Sequence, residues 1–167
     1  LWGFGQVSAK FTMDQCIKLA KKQTIAIATL KNANHIGRLS DYSNLCAKKN
    51  MIGIVTANLH GTSHIVSPYG GIERKLPSNP ISFSCPTGNK DNFFIADLST
   101  SSLAEGKLKI LYNEKLSVKE GHIIDNRGNK TNDPKKFYDE PKGSILPFGG
   151  ESAHKGYALS LMVDILS

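Results

Sequence analysis

Apolar positions recur at helical spacing in four parts of the chain. From Ser8 to Lys22 they follow the i, i+3, i+4, i+7 pattern of a helix that buries one face. Similar patterns predict helices over Leu39–Lys49, Thr100–Tyr112 and Lys155–Ser167. Serine and threonine residues are available to cap the start of the third of these helices.

Short runs of apolar and β-branched residues separate these helices and predict strands. They are Thr24–Leu30, Met51–Ala57, Ile81–Cys85, Phe93–Leu98 and His122–Asp125. The run from Met51 is apolar throughout, which is typical of a strand whose sheet is covered on both faces.

Turn-forming and polar residues connect the strands in the middle of the chain. Pro86–Asp91 predicts a loop or hairpin, and Asn126–Asn129 predicts a turn. Asp133–Pro141 is expected to be a polar surface connection. The helix–strand–helix–strand order at the start favours an α/β fold, and the short strand connections that follow favour a mixed sheet.

Composition narrows the range of functions. The 167 residues suffice for one domain, and no apolar run approaches the roughly 18–20 residues of a membrane span. The formal net charge is +7, but the lysines are scattered beside Asp and Glu and form no basic stripe. Neither a nucleic acid nor a membrane is therefore an expected partner. Three widely spaced cysteines suggest free thiols in a reducing compartment, the cytoplasm.

Both ends of the sequence resemble internal positions of a longer chain. The first residue is not Met, and the helical pattern from Lys155 continues to the last residue without a Gly or Asn cap or a trailing Pro. We therefore expect residues 1–167 to be one domain of a longer protein, truncated at both termini.

The strand-to-helix junction at Asn32–Leu39 is the first candidate for chemistry. Its sequence, Asn-Ala-Asn-His-Ile-Gly-Arg-Leu, sets a histidine, a glycine and an arginine where the first N–H groups of a helix lack intrahelical partners. The helix dipole favours negative charge there, so a phosphate or carboxylate can bind. The alternative is a turn that binds no ligand.

Small and polar residues occupy four further strand ends or helix starts: Thr56–His60, Leu76–Pro80, Asp97–Ser101 and Gly149–Gly156. In open α/β sheets such ends converge, and together they would present N–H groups, hydroxyls, a carboxylate and a lysine. That inventory suits a nucleotide better than a metal. Structural alternatives stay open, since Asp97 also suits a plain strand end and Asn79-Pro80 also suits a rigid turn.

Other common sites are not expected. His60 and His64 have a spacing that would allow metal binding, but no third ligand accompanies them. The chain contains no GxGxxG after a strand, no GxxxxGK[ST] and no GxSxG. Its own motifs therefore indicate neither a Rossmann nor a P-loop protein.

Eight segments carry a family resemblance. They are Asn32–Leu39, Met51–Ile54, Val66–Gly71, Ser78–Ile81, Asp97–Ser101 with Gly106-Lys107, Thr131–Pro134, Leu146–Gly150 and His154–Tyr157. In this order and spacing, over nearly all of the chain, they resemble the type-2 malate/L-lactate dehydrogenases, also called the sulfolactate dehydrogenase-like family. This family includes malate, lactate, ureidoglycolate and hydroxycarboxylate dehydrogenases and some cyclic imine reductases.

The resemblance implies a fold and an activity. The fold is a three-layer, non-Rossmann, sulfolactate dehydrogenase-like nicotinamide-binding domain, with a mixed sheet of about seven strands between helices. The activity is an NAD- or NADP-linked oxidoreductase that transfers a hydride between the cofactor and a small 2-hydroxy acid of the malate or lactate type. The full-length assembly it implies is a homodimer.

The resemblance also assigns site residues by motif position. His35 is the candidate catalytic acid/base, since a neutral imidazole can accept the hydroxyl proton of the substrate. Thr100 and Ser101 are expected to border the substrate. Cofactor contacts are expected at His35, Ile36, Gly37, Arg38, Leu39, Ser78, Asn79, Asp97, Leu98, Ser99, Gly149, Gly150 and Lys155.

Departures from the family leave alternatives open. The family's amino-terminal segment, with its substrate-binding arginine and another catalytic histidine, is absent from this sequence, and so are the carboxy-terminal cofactor contacts. We do not assign the role of that arginine to Arg38. A cyclic imine or keto-imine reductase on the same fold and a non-catalytic cofactor-binding fragment are the two alternatives.

Overall fold

The computed structural model describes residues 3–59, 64–89 and 91–167, which contain five α-helices and six strands. The helices are α1 (Gly5–Gln23), α2 (Ser40–Ala47), α3 (Glu105–Glu114), α4 (Lys135–Tyr138) and α5 (Ala153–Leu166). The strands are β1 (Gly53–Thr56), β2 (Ile81–Pro86), β3 (Phe93–Leu98), β4 (Ile123–Ile124), β5 (Lys130–Thr131) and β6 (Ser144–Ile145). A 3-10 turn, Gly150–Ser152, precedes α5.

The chain forms two compact units. The first contains Leu1–Thr56, Ile81–Leu98 and Ser167, and therefore α1, α2 and strands β1 to β3. The second contains Ala57–Pro80 and Ser99–Leu166, and therefore the remaining helices and strands.

Helix α2 covers one face of the antiparallel sheet β1-β2-β3 in the first unit. The hydroxyl oxygen of Ser43 on α2 lies 2.9 Å from that of Ser82 and 2.7 Å from that of Ser84, both on β2. All three side chains are fully buried, and their short length lets the helix lie close to the strand. Hydrogen bonds satisfy the hydroxyl groups, so burying them costs little.

The other face of this sheet is apolar and open. Ile54, Phe83 and Ala96 oppose one another across the three strands and lie on this face, and 61% of Ile54 is exposed. Cys85 and Phe94 form the next pair on the same face, and 54% of Phe94 is exposed. Contiguous exposed apolar surface of this kind is typical of a face that packs against other protein.

The second unit is built around one apolar cluster. Its fully or nearly fully buried members are Val66, Leu76, Leu108, Val118, Ile123, Phe137 and Ile145. The three-stranded antiparallel sheet β5-β4-β6 supplies two of them. Arg74 packs over this cluster with its guanidinium 4.0 Å from the centre of the Phe137 ring, and it donates hydrogen bonds to the carbonyls of Gly143 and Phe137. Burial lowers the pKa of this guanidinium.

Most of the predicted elements are confirmed. The helices predicted over Ser8–Lys22, Leu39–Lys49 and Lys155–Ser167 correspond to α1, α2 and α5, and the predicted hairpin is β2–β3. The α/β class is therefore correct. Pairing between the named strands is antiparallel, and parallel pairing among the described residues is limited to the isolated bridges Gly3–Ala33 and Val66–Ile145.

The strand predicted over Thr24–Leu30 is wrong for this chain. The segment carries no strand pairing with the residues that the structure describes, and 72% of Ile25 and 89% of Ile27 are exposed. β-branched residues favour extended backbone, but a strand needs a partner edge, and propensity alone does not supply one.

Two predictions in the second unit are also wrong in part. Helix α3 begins at Glu105, not Thr100, because the backbone N–H groups of Thr100 and Ser102 donate to the carbonyls of Ser78 and Leu146. The connection Asp133–Pro141 is not simply polar surface, since it contains α4, whose Phe137 is buried in the core. Periodicity could not reveal these long-range contacts.

Candidate functional site

The loop that carries His35 is fixed by contacts to both helices of the first unit. A Cβ atom on Gly5, the first residue of α1, would collide with the carbonyl oxygens of Asn34 and His35, so only glycine allows this approach. The Tyr42 hydroxyl on α2 donates to the carbonyl of Ile36. Tyr42 is buried, and this burial raises the pKa of its hydroxyl.

The imidazole of His35 is exposed and is oriented by the backbone. Its Nδ1 accepts a hydrogen bond from the N–H of Gly37 at 3.1 Å, and Gly37 has φ of +78°, a conformation that favours glycine. Because Nδ1 is an acceptor, the neutral ring carries its proton on Nε2. Nε2–H can therefore donate a hydrogen bond to a ligand, but Nε2 can accept a proton only after the Gly37 bond breaks and the ring proton moves to Nδ1.

The N-terminus of α2 already binds a carboxylate, that of Asp97. The Asp97 Oδ2 accepts a hydrogen bond from the N–H of Ser40, the first residue of α2, at 2.8 Å. The next two N–H groups, of Asp41 and Tyr42, donate to the carbonyls of Arg38 and Leu39. The anion predicted for this helix start is thus supplied by the chain itself, and these three N–H groups are not free for a phosphate.

Arg38 is engaged by a second carboxylate in the same turn. Its guanidinium lies 2.5 Å from the Oδ1 of Asp41, and both side chains are largely exposed. The Asp41 carboxylate holds the pKa of Arg38 above its usual value, first through the hydrogen bond and then through its charge.

Two leucines are among the predicted cofactor contacts. Leu39 is buried and Leu98 is partly exposed, so only the Leu98 side chain is accessible to a ligand.

We expect replacement of Asp97 by alanine to lower the free energy of unfolding by about 1–2 kcal/mol, because the helix loses its N-terminal acceptor. Urea unfolding measures this loss. Asp97→Asn should recover most of it, since an amide oxygen also accepts a hydrogen bond. Asp91→Ala, at an exposed loop position, is the matched control and should change the value by less than about 0.5 kcal/mol. Equal losses for Asp97→Ala and Asp91→Ala would refute the capping role.

The predicted site residues of the second unit meet at the carbonyl of Ser78. This carbonyl oxygen accepts hydrogen bonds from the Ser99 hydroxyl at 3.0 Å, the Thr100 hydroxyl at 2.9 Å and the Thr100 N–H at 3.1 Å. Ser101 pairs with Pro147, and the N–H of Phe148 donates to the carbonyl of Thr100. Segments 78–79, 99–102 and 146–148 thus form one hydrogen-bonded group.

Thr100 and Ser101 are buried within this group. Only 1% of Thr100 and 4% of Ser101 is exposed. The Ser101 hydroxyl lies 2.6 Å from that of Ser99 and donates to the carbonyl of Leu103 at 3.0 Å. Their hydroxyls therefore form hydrogen bonds within the loop, and a substrate would contact the exposed residues around them rather than these hydroxyls.

Asn79 lies beside Ser78 and is also buried, with 1% exposed. Its Nδ2 donates to the carbonyl of Ser160 on α5 at 3.2 Å, which fixes the orientation of the amide. Its Oδ1 is enclosed and accepts no hydrogen bond from the residues that the structure describes. Buried acceptors normally have a partner, so this oxygen is a candidate contact for a bound polar group.

The loop before α5 is exposed and leads to an exposed cationic side chain, that of Lys155. Gly149 and Gly150 have φ of +122° and +56°, and a side chain on Gly150 would meet only open space. Lys155, in the first turn of α5, is exposed. A cation at a helix N-terminus opposes the helix dipole, which an anion bound nearby would offset.

Gly156 fixes this loop on α5, because a Cβ atom there would collide with the backbone of Phe148. We expect Gly156→Ala to lower the free energy of unfolding by about 1–3 kcal/mol through overpacking. Gly106→Ala, in α3, meets nothing within 4 Å and should raise it by about 0.5–1 kcal/mol. Chemical unfolding of the two variants tests whether the first substitution lowers the free energy of unfolding and the second raises it. A stabilising Gly156→Ala would contradict the contact.

Comparison with known proteins identifies the family. A family model described as malate/L-lactate dehydrogenase matches residues 2–167. The chain belongs to the malate/L-lactate dehydrogenase family. It is 39% identical to the L-sulfolactate dehydrogenase of Methanocaldococcus jannaschii, with 99% of this chain and 45% of that protein aligned.

Solved structures of the family agree with this assignment. A malate dehydrogenase from Entamoeba histolytica matches with a TM-score of 0.89 and 30% identity, over 99% of this chain and 46% of that chain. A Δ1-piperideine-2-carboxylate reductase from Pseudomonas syringae matches with a TM-score of 0.85 and 30% identity, over 98% and 47%. The chain therefore spans about 45% of the length of the malate/L-lactate dehydrogenase relatives that it matches.

The residues present fit a dinucleotide in the second unit better than in the first. The second unit offers the unsatisfied Asn79 acceptor, the open backbone at Gly150 and the Lys155 cation. The first unit offers the exposed His35, but Asp97 already caps its helix N-terminus and Asp41 already pairs with Arg38. Among the described residues no three His, Cys, Asp or Glu side chains form a metal site, and His60 lies outside them. No described helix is long and apolar enough to cross a membrane.

Several residues that position the candidate site residues were missed by sequence reasoning. Gly5 and Tyr42 hold the His35 loop, Gly156 holds the loop before α5, and Ser160 orients Asn79. Of these residues, Gly156 alone carried a sequence signal, because glycine is unfavourable inside a helical pattern unless close packing requires it. Nothing in the sequence pattern distinguishes Tyr42 or Ser160 from other helix residues.

Proposed function

We propose that this chain is the nicotinamide-binding domain of an oxidoreductase that transfers a hydride between NAD or NADP and a small 2-hydroxy or 2-oxo acid of the malate or lactate type. The observation that carries the proposal is His35, an exposed imidazole on a rigid loop within a family of dehydrogenases. One of its nitrogens is held by the backbone, so the ring presents the other in a fixed direction.

In this proposal His35 is the acid/base residue. Release of the Gly37 bond lets Nδ1 carry a proton. The Nδ1–H tautomer can then accept the hydroxyl proton of the 2-hydroxy acid at Nε2, and the resulting imidazolium returns the Nε2 proton to the oxygen of the 2-oxo acid in the reverse direction. The cofactor supplies the hydride acceptor or donor. Lys155 and the exposed backbone at Gly149 and Gly150 bind anionic and polar groups of the cofactor, and Ser78, Asn79 and Ser99 support its other contacts.

We propose that further chain completes this domain in the whole protein. Additional strands and helices would cover two surfaces: the open apolar face around Ile54 and Phe94, and the exposed segment Thr24–Leu30. A mixed sheet of about seven strands in three layers would satisfy both. We further propose that the whole protein is cytoplasmic, in keeping with its three free cysteines. The family resemblance supports a homodimer as its assembly.

Reduction of a cyclic imine or keto-imine is the second candidate function, favoured by the match to the Pseudomonas syringae reductase. His35 would then donate a proton to the imine nitrogen instead of to a carbonyl oxygen. A cofactor-binding fragment without catalysis is the third candidate.

Steady-state assays of the whole protein distinguish these functions. We expect oxidation of L-malate, L-lactate or L-sulfolactate with NAD⁺ or NADP⁺, followed by the absorbance of the reduced nicotinamide. Turnover of a cyclic imine carboxylate alone would support the reductase. Absence of turnover with every acid and imine, in a folded protein that binds NADH or NADPH, would support the non-catalytic alternative.

A further inference from the structure

Helices α1 and α2 bring the sulfur atoms of Met13 and Cys46 into contact in the first unit, and a third sulfur-containing side chain, Cys16, follows on α1. The Cys46 Sγ on α2 lies 3.2 Å from the Met13 Sδ on α1. Cys16 follows Met13 by three residues on α1, and side chains at this spacing share one face of a helix. Cys46 is buried, whereas Met13 and Cys16 are half-buried, so the cluster has one accessible side.

Neither cysteine of this cluster forms a disulfide. Burial raises the pKa of both the Cys16 and Cys46 thiols, and the neighbouring Cys16 raises that of Cys46 further. The ordinary pKa of a cysteine thiol is about 8.5, so the cluster holds two thiols that must lose their protons to bind a metal, and one thioether.

We propose that Met13, Cys16 and Cys46 form a binding site for a single soft monovalent metal ion, Cu(I). Two thiolates and a thioether are the ligands that select Cu(I) over harder cations. Three sulfurs at about 2.3 Å from a metal in a trigonal plane would be about 4 Å apart, so the Met13 side chain has to retreat by less than about 1 Å. Methionine has three rotatable bonds and adapts readily to such a shift.

Binding is a ligand exchange without electron transfer. The two thiols lose their protons, two sulfur–copper bonds form to the thiolates and a third forms to the thioether, and two protons pass to the solvent. The cluster loses two protons and gains one Cu(I) ion, so the neutral site becomes a monoanion. Zinc(II), which usually takes four ligands in structural sites, should bind more weakly here.

Titration of the chain with Cu(I) under anaerobic, reducing conditions tests this proposal. A competing chromogenic Cu(I) chelator reports affinity and stoichiometry, and proton release in weak buffer reports the exchange. We expect one Cu(I) per chain with about two protons released. Cys16→Ser and Cys46→Ser should each weaken binding by about 100-fold, and Met13→Leu by about 10-fold.

Cys85→Ser is the matched control, because Cys85 lies on β2 of the same unit and is not part of the cluster. It should leave both affinity and stoichiometry unchanged. Equal weakening by Cys85→Ser, or unchanged binding in Cys16→Ser and Cys46→Ser, would overturn the proposal. If either serine variant fails to fold by circular dichroism, Met13→Leu decides, since it retains the volume and apolar character of the side chain; unchanged affinity in that variant would equally overturn the site.

Discussion

Replacement of His35 by alanine in the whole protein is expected to lower the turnover number by about 100-fold or more, the usual contribution of a positioned acid/base residue. His35 is exposed, and its one hydrogen bond within the described chain is to the Gly37 N–H. Its loss should therefore leave folding and cofactor affinity almost unchanged. Stopped-flow single-turnover kinetics would separate the hydride-transfer step from product release.

His64→Ala is the control for this variant, because His64 is exposed and no role in the site is proposed for it. Its turnover should equal that of the wild type. A His35→Ala protein with wild-type turnover would remove His35 from the chemistry and would show that another group supplies the acid/base function. A fall in turnover that comes only from lost cofactor affinity would instead reduce His35 to a binding residue.

Gly5→Ala is expected to have the second large effect, on the His35 loop. The added methyl group would overlap the carbonyl oxygens of Asn34 and His35, so either α1 or the loop must move. Overpacking of this kind costs about 1–3 kcal/mol, and the displacement would also misplace the imidazole. We expect a lower free energy of unfolding together with a fall in turnover of about 10-fold or more, since catalysis is sensitive to shifts of about 1 Å.

Gly3→Ala is the matched substitution, two residues earlier in the chain. A Cβ atom at Gly3 would lie 3.4 Å from the Ser8 hydroxyl oxygen, an ordinary contact, so stability and turnover should change little. If the two variants behave alike, the close approach of α1 to the His35 loop does not control the site. If Gly5→Ala loses stability without losing turnover, the contact is structural only.

Local patterns predicted α1, α2, α5 and the β2–β3 hairpin because their signals are contained in the segments themselves. Helix α1 has an apolar face, and β2 and β3 are apolar runs joined by a turn rich in Gly and Asn. The segment Thr24–Leu30 failed because a strand is defined by its neighbour, and no described strand lies beside it. The start of α3 failed for a related reason, since Thr100 is held by Ser78 and not by a helical turn.

The site was predictable only at the level of motifs. The resemblance selected His35, Asp97 and Lys155, but it could not show that Asp97 caps α2 or that Thr100 is buried. Such roles depend on residues far apart in sequence, as when Ser160 orients Asn79 across 81 positions. The spacing of residues along a chain does not show which polar groups form hydrogen bonds with one another.

A fluorescence titration of the whole protein with NADH and NADPH tests the central claim most directly. We expect saturable binding of one reduced cofactor per chain, weakened by about 10-fold in Lys155→Ala and unchanged in Lys119→Ala, an exposed lysine outside the proposed site. The preferred cofactor would follow from the two affinities. A folded whole protein that binds neither cofactor would contradict the assignment of this chain as a nicotinamide-binding domain.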